Sequence, residues 1–171
     1  AKTLSAAEKI TFFSGAYARS IYINEIELFS KTGKTKGFLE DIINYSNEEK
    51  ETISLLLNQK YELPLLVTSR LMNSKIGEAL LKRVAKIIHP FKINDERTSV
   101  LAIRSAVIKG LDKGNGEITL LGFLKAYPNK IMAVNIPALI KVIDKVESIS
   151  DLVTFFSKSP LEGLKTGEKK S

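Results

Sequence analysis

The chain has 171 residues, of which 44% are hydrophobic and 26% charged, and it contains one histidine but no cysteine and no tryptophan. This length predicts one globular domain whose core needs neither disulfides nor a structural metal, and the missing thiols exclude cysteine zinc sites and iron–sulfur clusters. The 26 basic residues exceed the 19 acidic residues, which gives a net charge of +7.

The N-terminus has the character of a processed segment. The sequence begins without a methionine, and Ser5, Ala6 and Ala7 are small residues of the kind that end a signal-peptide cleavage region. A trimmed chain would begin in the same way, so both interpretations stay open. We expect residues 1–8 to be this segment, and no window of 18 apolar residues predicts a transmembrane segment.

A short non-helical entry precedes the first helix. Residues 9–13 and 20–23 are rich in Ile, Phe and Tyr and are separated by a Ser-Gly pair, which predicts two extended pieces or a hairpin. Asn24 is then a candidate N-cap, with Glu27 three residues later, for a short helix that ends at Gly33.

Apolar residues recur at helical spacing in the five segments that follow. The predicted helices cover residues 38–45, 46–57, 64–73, 74–88 and 95–110. Ser46 with Glu49 forms a capping box, and Ser74 and Asp95 are predicted caps of the fifth and sixth helices.

The last third of the chain continues the helical pattern. Predicted segments are a helix over residues 119–127, an extended piece over 130–134, a helix that Asn135 caps and that runs to residue 146, and a short helix over 148–156. The connections are short, so we expect an all-α, compact bundle of eight or nine short helices over residues 9–158, with or without a short N-terminal β-hairpin. Residues 159–171 are predicted to be a flexible basic tail.

The positive charge is concentrated in residues 61–110, which hold nine basic and four acidic residues. Such a surplus is either a solvated helix face or a surface for phosphates, anionic lipid headgroups or an acidic protein. With five Arg against 21 Lys and no recognised motif, nucleic acid is an unlikely partner. The candidate partner-binding residues are Arg70, Lys75, Lys82, Arg83, Lys86 and Lys92.

No catalytic constellation emerges from the sequence. His89 is the only histidine, no Gly-x-Ser-x-Gly segment occurs, and His89 before Pro90 is typical of a helix C-terminal cap. The loop around Gly116 resembles a calcium loop, but its register places Leu111 and Lys113 where oxygen ligands belong. We therefore predict no catalytic, metal-binding or cofactor-binding residues, no cofactor and no enzymatic activity.

Five segments resemble a known family. They are residues 7–15, 19–33, 102–106, 116–121 and 123–128. They are similar to a cyanobacterial family catalogued as domain of unknown function fourteen hundred, with Tyr127 where phenylalanine is usual. The resemblance implies that the protein is exported. It also implies that in many members this region is followed by an alpha/beta-hydrolase domain, which carries the catalytic Ser, Asp and His. Those catalytic residues have no counterpart in this sequence.

Two hypotheses follow. The first is a non-catalytic exported module of the periplasm or thylakoid lumen that binds a protein partner, such as a membrane complex or a separate hydrolase, through apolar faces beside the basic segment. The second is a lid or regulatory domain of a hydrolase, or a lipid-handling module with an acyl-binding groove. Phe12, Phe13, Phe155 and Phe156 are apolar residues that could serve the second, although adjacent phenylalanines more often belong to an ordinary core.

Overall fold

The structure, a computed structural model, describes residues 6–93 and 95–143. Within these ranges six strands and eight helices are interspersed along the chain. The strands are β1 (Lys9–Ser14), β2 (Tyr17–Tyr22), β3 (Tyr61–Glu62), β4 (Ile88–Pro90), β5 (Glu117–Ile118) and β6 (Ile131–Asn135). The helices are α1 (Ile23–Thr32), α2 (Gly37–Ser46), α3 (Lys50–Asn58), α4 (Leu65–Met72), α5 (Lys75–Ala85), α6 (Glu96–Lys113), α7 (Leu120–Ala126) and α8 (Ile136–Ile143).

The predicted all-α class is wrong, because the chain builds a mixed sheet as well as helices. Four strands lie in the order β2-β1-β6-β4, with β1 parallel to β6 and the other two pairs antiparallel. β3 and β5 form a second, two-stranded sheet. The fold is therefore α/β, and the central strand β6 joins the two ends of the described chain.

The extended piece predicted over residues 130–134 is confirmed as β6, but the sequence did not predict the sheet that this strand joins. Met132, Ala133 and Val134 of β6 are all buried, so the strand lacks the alternation of apolar and polar residues that marks a half-exposed strand. β4 has three residues, and it forms because its backbone pairs with β6. The predicted fifth helix therefore ends at Ala85 rather than at residue 88.

The predicted N-terminal hairpin is confirmed. β1 and β2 pair antiparallel across a two-residue turn, with Ser14 opposite Tyr17. Gly15 occupies the first turn position with φ 59°, a conformation that glycine adopts without the strain a Cβ would cause. Along β1, Ile10 and Phe12 point to the helical core, and Thr11 points to the opposite face of the sheet.

The three caps predicted on later helices are confirmed. Ser74 Oγ accepts a hydrogen bond from Gly77 N, Asp95 Oδ2 accepts one from Thr98 N, and Asn135 Oδ1 accepts one from Ala138 N. Two predictions near the N-terminus are wrong. Helix α1 begins at Ile23, so Asn24 lies inside it, and Ser46 ends α2 instead of opening α3.

The core lies between the four-stranded sheet and the helices. α6 packs against α5, α7 and β4, and it contributes the fully buried Ala106 and Leu111. Phe29 of α1 and Tyr127, which follows α7, are also fully buried. Ala7 belongs to this core, and its N–H donates to the Tyr127 carbonyl over 3.0 Å.

Some predictions lie outside the described residues. These are the short helix over 148–156 with Phe155 and Phe156, the end of the eighth helix beyond residue 143, and the tail over 159–171. Among the helices that the structure describes, none combines the length and the apolar character that a membrane crossing requires.

Candidate partner-binding surface

The six basic residues predicted to bind a partner are all exposed, but they lie on three separate elements. Arg70 is in the last turn of α4, and Lys92 is in the turn after β4. Lys75, Lys82 and Arg83 belong to α5, and Lys86 follows its last residue. The structure therefore brings four of the six onto or beside one helix.

Helical geometry places three of these four on one side of α5. Lys75, Lys82 and Lys86 are spaced by seven and four residues, which is the repeat of a single helix face. The Nζ of Lys82 lies 3.9 Å from carboxylate oxygens of both Glu78 and Glu96. Lys82 is thus already compensated, and the positive charge on this face comes from Lys75 and Lys86.

Helix α4 carries apolar side chains on its outer side. Leu66 is 63% exposed, and Leu65 and Val67 on either side of it are also exposed. The buried side chain of this helix is instead Thr68, at 5% exposure. Arg70 follows Leu66 by one turn, so an apolar patch and a cation share the outer face of α4.

The position of α4 is fixed by two contacts at its C-terminal end. Arg104 Nη2 of α6 donates to the Met72 carbonyl over 3.1 Å. In the next turn, a Cβ added to Gly77 of α5 would lie 1.8 Å from the Leu71 carbonyl oxygen. α5 therefore approaches α4 as closely as a glycine allows, and the outer face of α4 is held in place from behind.

Sequence reasoning missed the exposure of α4. The run Leu65-Leu66-Val67 fits a buried helix as well as an exposed patch, since consecutive apolar residues cover every side of a helix. The sequence did contain an indication of this exposure, because the apolar run is followed by the polar residues Thr68 and Arg70. They lie one helical turn after Pro64 and Leu66. Only the packing of α4 on α5 and α6 decides which side is covered.

His89 is not a helix cap, as the sequence predicted, but a buried residue of β4 at 7% exposure. Its Nδ1 lies 2.9 Å from the Pro90 carbonyl oxygen, and its ring meets Phe13 edge-on with centroids 5.4 Å apart. No hydroxyl or carboxylate of the described residues is hydrogen-bonded to the imidazole. The ring is packed as part of the sheet face.

The two described phenylalanines of the lipid-handling hypothesis are likewise packed in the fold. Phe12 meets Phe38 of α2 edge-on at 5.8 Å, and Phe13 contacts His89. Arg19 lies over the Phe38 ring at 4.7 Å. These aromatic pairs stabilise the sheet and its covering helix.

The glycine-rich loop at 114–116 is a turn that connects α6 to β5. Asn115 and Gly116 have positive φ angles of 53° and 93°, and Gly116 N donates to the Leu111 carbonyl. Across the two described ranges, no cluster of three or more His, Asp or Glu side chains is arranged to hold a metal ion.

The observed molecule is a mixed α/β module with an apolar and basic patch on α4 and α5. Residues 6–135 match the family described as Alpha/beta hydrolase of unknown function (DUF1400), and the chain belongs to that family. The family that the sequence motifs indicated is thereby confirmed. Comparison with curated proteins and with solved structures found no match.

Proposed function

We propose that this chain is a non-catalytic module that binds an alpha/beta-hydrolase domain through the outer face of α4 and the adjacent cations of α5. The observation that carries the proposal is the inverted burial of α4, in which Leu65, Leu66 and Val67 are exposed and Thr68 is buried. Exposed leucines that are contiguous and bordered by cations are typical of a protein-binding surface.

The chemistry of the described residues supports a non-catalytic role. An acyl-transfer site needs a nucleophile, a base within hydrogen-bond reach of it and a group that orients the base. The single histidine of the chain is packed against Phe13, and its Nδ1 is directed at the Pro90 carbonyl. The chain also has no Gly-x-Ser-x-Gly segment.

Family membership supports a hydrolase as the partner. The family is described as an alpha/beta hydrolase, and its resemblance implies a catalytic domain elsewhere in many members. A module without its own triad that belongs to such a family fits the role of a lid or regulatory domain. The exposed surface of α4 is then the side that meets the hydrolase.

The direct test is a binding titration between the full chain and a purified alpha/beta-hydrolase domain from a member of this family. We expect binding that Leu66→Ser weakens about tenfold or more, because a buried apolar contact is worth at least 1.4 kcal/mol at an interface centre. Leu55→Ser is the matched control, since Leu55 of α3 is 72% exposed and lies outside the patch. Its affinity should equal that of the wild type.

The dependence of binding on salt concentration tests whether the cations of this surface contribute to the affinity. Raising the ionic strength should weaken the wild type more than Arg70→Gln, because screening removes an attraction that the variant already lacks. Equal affinities for the wild type and Leu66→Ser would contradict the proposal that the outer face of α4 is the binding surface. Absence of binding at both low and high salt would contradict the proposal that a hydrolase domain is the partner. Recovery of a membrane complex instead of a hydrolase from native membranes would also overturn this choice of partner.

Export is part of the proposal and rests on the family resemblance. We propose that the module works in the periplasm or thylakoid lumen. Fractionation of cells that express the natural gene product tests this location. Recovery of the protein from the cytoplasm would contradict it, and esterase activity of the purified chain would contradict the non-catalytic role.

A further inference from the structure

A groove between α5 and α6 carries chemistry that the proposed function does not use. Its volume is about 480 Å³, and it is widely open to solvent. The lining residues are Glu78 and Lys82 of α5 and Glu96, Arg97, Val100, Leu101 and Arg104 of α6. None of them belongs to α4, and Lys82, the one candidate partner-binding residue among them, is already compensated by Glu78 and Glu96.

The cations of the groove are unequally compensated. Lys82 pairs with both carboxylates of the groove, at 3.9 Å from Glu78 and from Glu96. In the part of the chain that the structure describes, Arg97 and Arg104 form no ion pair. Three cations and two carboxylates therefore leave one net positive charge, and it is carried by guanidinium groups.

Arg104 is held in a fixed orientation. Its Nη2 donates to the Met72 carbonyl over 3.1 Å, which ties the guanidinium to the end of α4. Its Nε is buried without a hydrogen-bond partner among the described residues. The Met72 contact fixes the guanidinium, so little side-chain entropy remains to be lost when its accessible N–H groups pair with an anion.

Apolar groups lie between the two arginines. Arg97, Leu101 and Arg104 are spaced by four and three residues and form one stripe of α6. Leu101 is exposed, and the neighbouring Val100 is buried and forms the floor. A ligand in this groove would meet a cation and an aliphatic surface at the same time.

We propose that the α5–α6 groove binds a small monoanion with an aliphatic chain, a carboxylate of the fatty-acid class. The carboxylate pairs with the guanidinium groups of Arg97 and Arg104, and the chain lies on Val100 and Leu101. Glu78 and Glu96 stand beside the cations, so a dianion such as phosphate is disfavoured by repulsion.

The test is an NMR titration of the full chain with octanoate, in parallel with acetate, inorganic phosphate and octanol. Octanoate should shift the amide resonances of residues 97–104 and bind at least about tenfold more tightly than the other three compounds, because only octanoate supplies both chemistries. Arg97→Gln should weaken octanoate binding about tenfold, the usual loss for a charged hydrogen bond.

Two further variants complete the design. Leu101→Asn should reduce the preference for octanoate over acetate. Lys113→Gln is the matched control, because it removes one positive charge at the far, exposed end of α6 and should leave the affinity unchanged. Tight binding of phosphate or acetate, wild-type affinity in Arg97→Gln, or absence of octanoate binding would each overturn the proposal.

Discussion

Tyr127 places a polar group in an unfavourable environment within the described core. Its side chain is 0% exposed, and its hydroxyl has no hydrogen-bond partner among the described residues. Its ring packs against Phe123 with centroids 6.5 Å apart. The ring therefore stabilises the core, whereas the hydroxyl group loses its hydration without compensation.

We expect Tyr127→Phe to raise the free energy of unfolding by about 1–3 kcal/mol, because an unpaired buried hydroxyl carries a desolvation cost of that size. Urea denaturation measures the change. Tyr45→Phe is the control, because Tyr45 is highly exposed and its hydroxyl stays hydrated. A loss of stability in Tyr127→Phe would mean that the hydroxyl has a partner.

The same substitution should change the alkaline stability. Burial raises the pKa of Tyr127 above its ordinary value of 10. The unfolded chain therefore releases this proton near pH 10 while the folded chain retains it, so stability falls as the pH rises above 10. Tyr127→Phe should lose less stability than the wild type over this range, and an identical pH profile would contradict the raised pKa.

At the scale of single elements, the start of α6 shows how one side chain defines a helix. Asp95 Oδ2 accepts hydrogen bonds from Thr98 N over 2.9 Å and from Thr98 Oγ1 over 2.7 Å. These hydrogen bonds lower the pKa of the Asp95 carboxyl, with a smaller contribution from Arg97. The ionised carboxylate is therefore the capping form.

We expect Asp95→Ala to lower the melting temperature at neutral pH, and Asp95→Asn to retain most of the stability because asparagine also caps helices. The Asp95 carboxyl contributes stability above its unfolded pKa of about 4, and the contribution disappears as the pH falls through the lowered folded pKa. Melting temperatures at pH 7 and pH 3 measure this. A difference between Asp95→Asn and the wild type that stays constant with pH would contradict the lowered pKa.

At the scale of the whole molecule, β6 connects parts of the chain that are distant in sequence. It pairs in parallel with β1 and antiparallel with β4, so its hydrogen bonds join the start, middle and end of the described chain. Met132 in this strand is 1% exposed and belongs to the core cluster. A cavity at this position should therefore destabilise the entire fold.

We expect Met132→Ala to reduce the free energy of unfolding by about 2–5 kcal/mol, the usual cost of a large-to-small change in a core. Leu55→Ala on the exposed side of α3 should change it by less than about 0.5 kcal/mol. Urea unfolding followed by both circular dichroism and tyrosine fluorescence provides the comparison. Similar stabilities of the two variants would show that β6 is not central to the core.

The sequence alone determined the features that depend on neighbouring residues. Ser74 and Asp95 cap helices because a hydroxyl or carboxylate reaches a backbone N–H three residues away. The hairpin at residues 9–22 follows from two apolar segments around Gly15. Family membership could also be predicted from the sequence, because short motifs in the right order can be recognised without knowledge of tertiary contacts.

Only the tertiary structure decided the sheet, the environment of His89 and the two candidate surfaces. β4 forms because its backbone pairs with β6, and this pairing moves His89 from a predicted helix end into a buried strand. The outer side of α4 and the groove beside Arg97 are defined by what α5 and α6 cover. The charge and the hydrophobic periodicity of the sequence indicate which residues can be exposed. The packing of the helices and strands decides which of these residues form one surface.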